Sequence, residues 1–399
     1  MPVSVISDAS IRAPLTRWLA VLAVTMGIFS IVTTEILPIG LLTSIGSSFH
    51  ISYGAAGAMM IMPGLVAAIA APLVTVTTGR LDRRVMLCAL MALLALANLL
   101  AAAAPAYWVM LVCRVLVGLV IGGFWSIGAG LAARLVGENA VARATSVIFS
   151  AVPLGSVLGV PAGTLIGHLA GWRAAFGVLG GLTLGVLVAL VVLLPPLPPV
   201  RVTRLGVLRG LLRRHSIRLG LLATFLVVLA HFGTYTYVTP FLQGVTKVSP
   251  AMLSALLLIY GAAGVLGNFV AGATVTRHLR ATFVVSGVLL GGSTLLLPTL
   301  GNGNVGAIAL LVVWGLAYGG VPVCSQTWFV RSAPRAPEAA TVLFTSSFQA
   351  TISVAALFGG IVVDAASTTS VMWCGGAIAV LMAATVWLLS GPGRSGAPG

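Results

Sequence analysis

Long apolar segments, interrupted at short intervals by arginines or turn residues, recur from one end of this chain to the other. A helix needs about 20 mostly apolar residues to cross roughly 30 Å of hydrocarbon, and only helices and closed barrels satisfy every backbone polar group inside a bilayer. Cutting the chain at charges and at Pro/Gly clusters gives twelve segments of helical length, which predicts an all-α, polytopic membrane protein. The predicted spans are Trp18–Leu42, Ser52–Thr78, Val85–Ala104, Tyr107–Leu135, Val141–His168, Ala174–Leu194, Ile217–Leu242, Ala251–Thr276, Thr282–Leu300, Val305–Val330, Ala339–Val363 and Val371–Leu389.

The composition excludes most soluble classes of protein. Charged residues make up 7% of the chain, against roughly 25% in an ordinary soluble domain, and only six residues are acidic. In a soluble chain the net charge of +15 would indicate a nucleic-acid partner. Here the arginines lie in short breaks between spans, so we expect a lipid bilayer and no nucleic acid. The four cysteines have neither metal-ligand nor disulfide spacing, and no metal or cofactor is expected.

Positive charge is distributed unevenly between the loops. Eighteen lysines and arginines lie in the two tails and in alternate loops on one side, whereas only Arg173 and Lys247 lie on the other side. The cytoplasmic loops of membrane proteins carry an excess of Lys and Arg. The asymmetry therefore predicts a multi-pass protein of the plasma (cytoplasmic) membrane with both termini in the cytoplasm.

The chain divides into two similar halves. A Pro- and Arg-rich stretch at its middle predicts an N-terminal six-helix bundle (1–194), a cytoplasmic linker (195–216) and a C-terminal six-helix bundle (217–399). A shift of 197 residues aligns loops and helix ends of the two halves together, as expected for a transporter built from parallel repeats. The aligned pairs include Arg80 and Arg277, Arg83 and Arg280, Gly118 and Gly315, Gly122 and Gly319, and Arg134 and Arg331.

Two charged residues lie inside predicted spans without a charged counterpart in the other half. Glu35 lies in the first span and Arg114 in the fourth, at comparable depth, while their counterparts are Phe232 and Leu311. Ionisable groups in a membrane are costly, so a functional role is the first hypothesis. Burial favours the neutral carboxyl and a nearby guanidinium favours the carboxylate. We predict that Glu35 carries a proton and that Arg114 regulates it; a permanent ion pair or a structural cap is the alternative. Asp364, at the outer end of its span, is expected to be solvated.

Polar and aromatic residues deep in other spans form a candidate substrate site. A tryptophan could stack on a planar ligand, a histidine and a tyrosine four residues apart share one helix face, and glutamines offer both donors and acceptors. Alternatively, the tryptophan is a packing residue and the other side chains form interhelical hydrogen bonds. The candidates are Trp125, His231, Tyr235, Gln326 and Gln349.

Small residues on the fifth span predict close approach of another helix. Gly155, Gly159, Pro161 and Gly163 make a flat, bendable face. The chain has no P-loop, no GxSxG or HExxH motif and no paired carboxylates. Nucleotide-driven pumps and most membrane hydrolases are thereby excluded, and we expect no enzyme. Transport would then be driven by an ion gradient or be passive.

Four stretches carry a resemblance that extends over essentially the whole chain. They are Thr34–Leu42, Gly79–Arg84, Arg114–Gly123 and Gly155–Gly163. Together they resemble the motifs of the major facilitator superfamily, specifically its twelve-helix drug:proton antiporter family. The loop motif departs from the usual pattern: Gly79 stands where the family has an aspartate, and Asp82 stands where it has a glycine. Gly122–Trp125, Ser146–Phe149 and Trp314-Gly315 with Pro322 look most like the purine-ribonucleoside and sugar efflux branch.

The resemblance implies a fold and a mechanism. Two six-helix bundles of a monomer would rock around a central cavity by alternating access, and inward proton flow would drive export of a small organic molecule such as a drug, nucleoside or sugar. It also implies a gating or conformational role for the glycine face of the fifth span and for Arg80, Asp82, Arg83 and Arg84. A passive facilitator or channel for small polar solutes remains an alternative, although it would not need a buried Glu35. A membrane-embedded receptor or enzyme is a second alternative, and the substrate stays open.

Overall fold

The computed structural model describes residues 14–77, 81–128, 131–137, 140–198, 209–334 and 336–389. Within these ranges the chain is α-helical and has no strand. The helices are α1 (Pro14–Phe49), α2 (Tyr53–Thr77), α3 (Arg83–Ala102), α4 (Tyr107–Gly128), α5 (Leu131–Leu135), α6 (Val141–Ala170), α7 (Trp172–Leu193), α8 (His215–Tyr235), α9 (Val238–Gly244), α10 (Pro250–Leu300), α11 (Asn304–Ser332), α12 (Pro337–Ala365) and α13 (Thr368–Leu389).

In the described ranges, eleven helices are long and apolar enough to cross a membrane. One of them, α10, has 51 residues and non-helical backbone angles at His278 (φ −131°, ψ 46°). At 1.5 Å per residue it would extend about 76 Å if straight, which is enough for two crossings. The eighth and ninth predicted spans therefore both lie in α10. The predicted break between them, at residues 277–281, is confirmed, because the backbone leaves helical angles at His278 and divides α10 into two helical parts.

The fourth predicted span, Tyr107–Leu135, contains α4 and the short α5, and residues 129–130 between them lie outside the described residues. One other predicted span is interrupted. The seventh divides into α8 and α9, with a turn in which the amide of Tyr237 donates to the carbonyl of Thr234 (3.0 Å). Pro240 follows this turn; its ring lacks an N–H for the carbonyl four residues earlier and disfavours a continuous helix.

Glycine contacts support the internal repeat. Two glycines of α4 face carbonyl oxygens of α2, and the two glycines 197 residues later in α11 face carbonyl oxygens of α10. A Cβ at any of these positions would collide with the facing helix, so the backbones pack directly on each other. The contacts are Gly118 on Pro63, Gly122 on Ala67, Gly315 on Tyr260 and Gly319 on Gly264, and the partners keep the same offset as the glycines.

The bundle has two ends, named here by their charge. The arginine-rich face is the end at which α1 begins and α2 ends, and the opposite face is the end at which α1 ends and α2 begins. One buried apolar cluster joins both halves, and its members from the N-terminal half lie towards the opposite face; they include Leu37, Ile39, Leu41, Ala56, Met59, Met110 and Trp172. A second cluster lies towards the arginine-rich face and belongs to the N-terminal half alone; its members include Ala20, Val24, Leu87, Met91, Val120 and Leu190. The apolar core thus joins the halves near the opposite face only.

Candidate functional site

Glu35 lies on α1 at the interface between the two halves. Its side chain is only 9% exposed. Its Oε1 accepts a hydrogen bond from Nε2 of Gln349 on α12 (3.0 Å), and Oε1 of Gln349 is itself buried without a hydrogen-bond partner among the described residues. Among the hydrogen bonds that join described residues of the two halves, this one lies farthest from the opposite face. The structure therefore brings together Glu35 and Gln349, which sequence analysis had assigned to different roles.

Arg114, on α4, is held by the main chain of two other helices. Its Nη1 donates to the carbonyl of Thr34 (2.7 Å), its Nη2 to the carbonyl of Glu35 (2.8 Å) and its Nε to the carbonyl of Met59 (3.0 Å). The guanidinium is 1% exposed. It thus binds the backbone of Glu35 rather than its carboxylate, so the permanent ion pair considered as an alternative does not form between these two described side chains.

Two prolines explain why carbonyls are available to Arg114. In a helix the carbonyl of residue i accepts from the amide of residue i+4, and proline has no amide hydrogen. Pro38 therefore leaves the carbonyl of Thr34 without its helical donor, and Pro63 does the same to Met59. Buried carbonyls without donors are costly, and Arg114 supplies donors to both. The arginine thereby stabilises the segment of α1 that carries Glu35.

His231 lies in a stack of aromatic rings within the C-terminal half. Its ring is parallel to that of Tyr318 with centroids 3.3 Å apart, and it stacks on Tyr235 at 5.1 Å. Tyr235 stacks in turn on Tyr260 at 4.6 Å, and Trp314 lies edge-on to His231, Tyr235 and Tyr260. His231 is 1% exposed. These contacts favour the packing interpretation for the histidine and leave substrate contact by His231 and Tyr235 as a prediction.

A single hydrogen bond indicates the protonation state of His231. The indole Nε1 of Trp314 donates to Nδ1 of His231 (3.1 Å). A neutral imidazole with its proton on Nε2 fits this donor, whereas a protonated ring would place two hydrogens opposite each other. His231 is therefore held neutral in this conformation.

The remaining substrate candidates lie elsewhere. Trp125 is half-buried on α4 and packs edge-on to Phe124 at 6.3 Å, beside the core of the N-terminal half. Gln326, on α11, is exposed. The binding roles of both side chains also remain predictions.

The predicted small-residue face of α6 packs against α1. A Cβ on Gly155 would lie 3.0 Å from Val32, and one on Gly159 would lie 2.7 Å from Cγ2 of Thr33. Gly163 faces Leu37 so closely that any side chain at position 163 would displace the leucine, and Pro161 is buried. The face thus holds α6 against the same segment of α1 that contains Glu35, as the spacing indicated.

The loop after α2 is tied to the start of the linker. Asp82 caps α3 by accepting from the amide of Arg84 (2.7 Å), and its two carboxylate oxygens also accept from the amide of Leu197 (3.1 and 3.0 Å). Arg84 donates to the carbonyl of Val191 (2.6 Å), and the amide of Arg83 donates to the carbonyl of Leu197 (2.8 Å). Arg80 and residues 199–208 of the linker lie outside the described residues. A gating role for this loop stays a prediction.

Sequence reasoning missed several residues of the site. Asn98, on α3, donates to Oγ1 of Thr34 (3.0 Å) beside Arg114. The signal in the sequence was an asparagine within an otherwise apolar span. Tyr318 and Trp314, four residues apart on α11, complete the stack around His231. Their spacing places them on one face, but nothing in the sequence shows which helix that face meets.

Comparison with known proteins agrees with the architecture. The sequence profile described as Major Facilitator Superfamily matches residues 18–345 of this chain. The chain belongs to the Major Facilitator Superfamily. The resemblance noted in the sequence is thus confirmed, together with the all-α membrane fold and the assignment as a multi-pass transporter of this superfamily.

Relatives and a solved structure extend the comparison. A protein of Pseudomonas aeruginosa named transcription regulatory protein OpdE is 34% identical over 388 residues, with 96% of this chain and 95% of that protein covered. A probable sugar efflux transporter of Helicobacter pylori strain G27 is 29% identical over 356 residues, covering 89% and 90%; that of strain P12 is 30% identical over the same length. The crystal structure of a bacterial homologue of the human lysosomal transporter Spinster, inward-facing and unoccupied, has a TM-score of 0.73 at 14% identity, covering 95% and 98%. This last likeness concerns the fold alone.

Proposed function

We propose that this transporter is a proton-coupled antiporter that exports a small organic molecule, with Glu35 as the proton carrier. The observation that carries the proposal is the environment of its carboxyl group. Glu35 is buried, its carboxylate forms no salt bridge among the described residues, and the side-chain hydrogen bond that it accepts there comes from the other half of the protein. Such a group is stable as a neutral acid and, where water reaches it, as a carboxylate.

The hydrogen bond between Glu35 and Gln349 links protonation to the relative position of the halves. The hydrogen bond that an amide N–H donates to a carboxylate is stronger than the one that it donates to a neutral acid, since hydrogen bonds to charged groups are roughly twice as strong. Loading the proton therefore weakens a contact between α1 and α12 at the depth where the shared apolar core ends. Arg114 takes part indirectly, because it binds the carbonyls of Thr34 and Glu35 and so holds this segment of α1 in place.

The nature of the substrate follows less directly. The Helicobacter pylori relatives are named probable sugar efflux transporters, and the predicted binding residues are neutral, polar or aromatic. Both favour a neutral, hydroxylated or planar molecule such as a sugar or nucleoside. The excess of arginine on one face supports cytoplasmic termini, and export would then proceed towards the opposite face.

A transport assay in proteoliposomes tests the proposal. Sugars, nucleosides and hydrophobic antibiotics are screened for substrate-dependent proton flux, and the substrate found is then used with Glu35→Gln. This variant should bind substrate and exchange it but lose accumulation driven by a pH gradient. Glu338→Gln is the matched control, since this acid precedes its predicted span, and it should retain coupling. If Glu35→Gln still concentrates substrate with unaltered dependence on external pH, the coupling residue lies elsewhere.

One comparison favours a second candidate function. The Pseudomonas aeruginosa relative is named as a transcription regulatory protein although it matches almost the whole chain. A membrane sensor built on the same fold would bind a ligand without moving it. Saturable ligand binding without solute or proton flux in the same vesicles would favour the sensor, whereas counterflow without any dependence on a pH gradient would favour a passive facilitator.

A further inference from the structure

At the opposite face, a side chain of the C-terminal half caps a helix of the N-terminal half. Ser52 is the N-cap of α2, and its Oγ accepts from the amide of Ala55 (3.1 Å). Asp364, near the end of α12, completes this cap from the other half. Its Oδ2 accepts from Oγ of Ser52 (2.6 Å), and its Oδ1 accepts from the amide of Gly54 (3.0 Å). The backbone amides in the first turn of α2 therefore bind acceptors from both halves.

The electrostatic environment of Asp364 differs between its own helix and α2, the helix that it caps. Asp364 lies in the last turn of α12, where the helix dipole is negative and an anionic side chain is unfavourable. The first turn of α2, in contrast, presents free amides and the positive end of its dipole. The carboxylate therefore destabilises the end of its own helix, α12, and stabilises the start of α2 in the other half. Its interaction energy therefore depends on the two halves being in contact at this face.

Glycines bring the two helix ends together. A Cβ on Gly360 of α12 would lie 3.1 Å from the Cα of Gly54, and one on Gly54 would lie 2.7 Å from the carbonyl oxygen of Gly360 and would also collide with the carboxylate of Asp364. The backbones of the two glycines thus approach closely, and the hydroxyl of Tyr237 and the carboxylate of Asp364 occupy the space beside them.

The repeat shows that the carboxylate is an addition at one of two equivalent interfaces. Ser249, 197 residues after Ser52, caps α10 by accepting from the amide of Met252 (3.3 Å) in the same geometry. The residue 197 positions before Asp364 is Gly167. The second interface between the halves, formed by α6 and α10, therefore keeps the serine cap but lacks the acid.

We infer that Asp364 is a latch that holds the opposite face closed by capping α2 across the interface. The latch forms when α2 and α12 meet and is broken when the halves separate at that face. Its role is to set how often this face opens. This inference goes beyond the proposed function, because it concerns the equilibrium between conformations and does not require that protons drive transport.

The rate at which a buried thiol is modified measures the opening of this face. Thr239, on α9, is fully buried, and its Oγ1 donates to the carbonyl of Ile39 in the other half (2.8 Å). A cysteine at position 239, in a protein otherwise without cysteine, reacts with a polar maleimide in nanodiscs only when this contact opens. The native Cys324, also buried and on α11, serves in a second single-cysteine protein as a reporter of general loosening.

Asp364→Ala and Ser52→Ala should each raise the rate of modification at position 239 by about five- to tenfold, because each removes a hydrogen bond to a partly exposed carboxylate. The double variant should exceed the larger single effect only slightly, since both changes break the same contact. The rate at Cys324 should not change. Ser367→Ala is the matched control, because Ser367 caps α13 within one half through the amide of Ser370. An unchanged rate at position 239 in Asp364→Ala, or equal acceleration at both reporters, would overturn the latch.

Discussion

Replacing Arg114 tests whether its main role is to satisfy the carbonyls that two prolines leave without donors. Arg114→Ala leaves the carbonyls of Thr34 and Met59 buried and unpaired. Each such group costs about 1–3 kcal/mol, so we expect a loss of roughly 2–6 kcal/mol in the free energy of unfolding. Arg114→Lys retains the charge but not the planar fork that reaches three oxygens at once, and its effect should be intermediate.

The matched rescue uses the prolines themselves. Pro38→Ala and Pro63→Ala restore the amide hydrogens that bond these carbonyls in a regular helix. Introduced into Arg114→Ala, the two changes should recover much of the lost stability, as measured by thermal unfolding in detergent through tryptophan fluorescence. Two results would refute the reasoning: an Arg114→Ala variant as stable as the parent, or no recovery when both prolines are replaced. Either would return the arginine to a purely electrostatic role beside Glu35.

Four further predictions follow from described contacts. Gly159→Leu should force α6 away from α1 and abolish transport with retained expression, as measured by uptake into vesicles. Asp82→Ala should destabilise the start of α3 by about 1 kcal/mol and accelerate proteolysis of the adjoining linker. Trp314→Phe removes the donor from His231 and should leave the dependence of export on external pH unchanged; a shifted profile would implicate the histidine in proton transfer. A cysteine replacing Arg209 should react with an impermeant reagent only in inverted vesicles, and reaction in intact cells would contradict cytoplasmic termini.

The sequence predicts the crossings well because span length depends on the thickness of the bilayer, which is the same for every helix. It is less exact where an interruption inside a span depends on local chemistry, as in the turn before Pro240 that divides the seventh span into α8 and α9. The internal repeat is also visible in advance, since glycines such as Gly118 and Gly315 are fixed by backbone contacts that both halves need.

The site itself is less predictable from sequence. Glu35 and Arg114 stand out because charge is rare in a span, but their relation does not follow from their identity. The guanidinium binds carbonyls whose availability depends on prolines in two other helices, and the facing of those helices is a property of the fold. Asp364 shows the same limit: at the end of a helix it was expected to be solvated, and it is exposed, yet it also bonds Ser52 more than three hundred residues away.

The divided apolar core has a consequence for leakage. If both faces were open at once, water would wet the shared cluster and no new contact would replace it. The cost is about 2.5 kcal/mol for each 100 Å² of apolar surface wetted, and every 1.4 kcal/mol lowers the population of such a state tenfold. A continuous water path through the protein is therefore rare on energetic grounds alone. The membrane stays electrically tight without a separate plug, because the residues that seal the path are those that hold the two halves together.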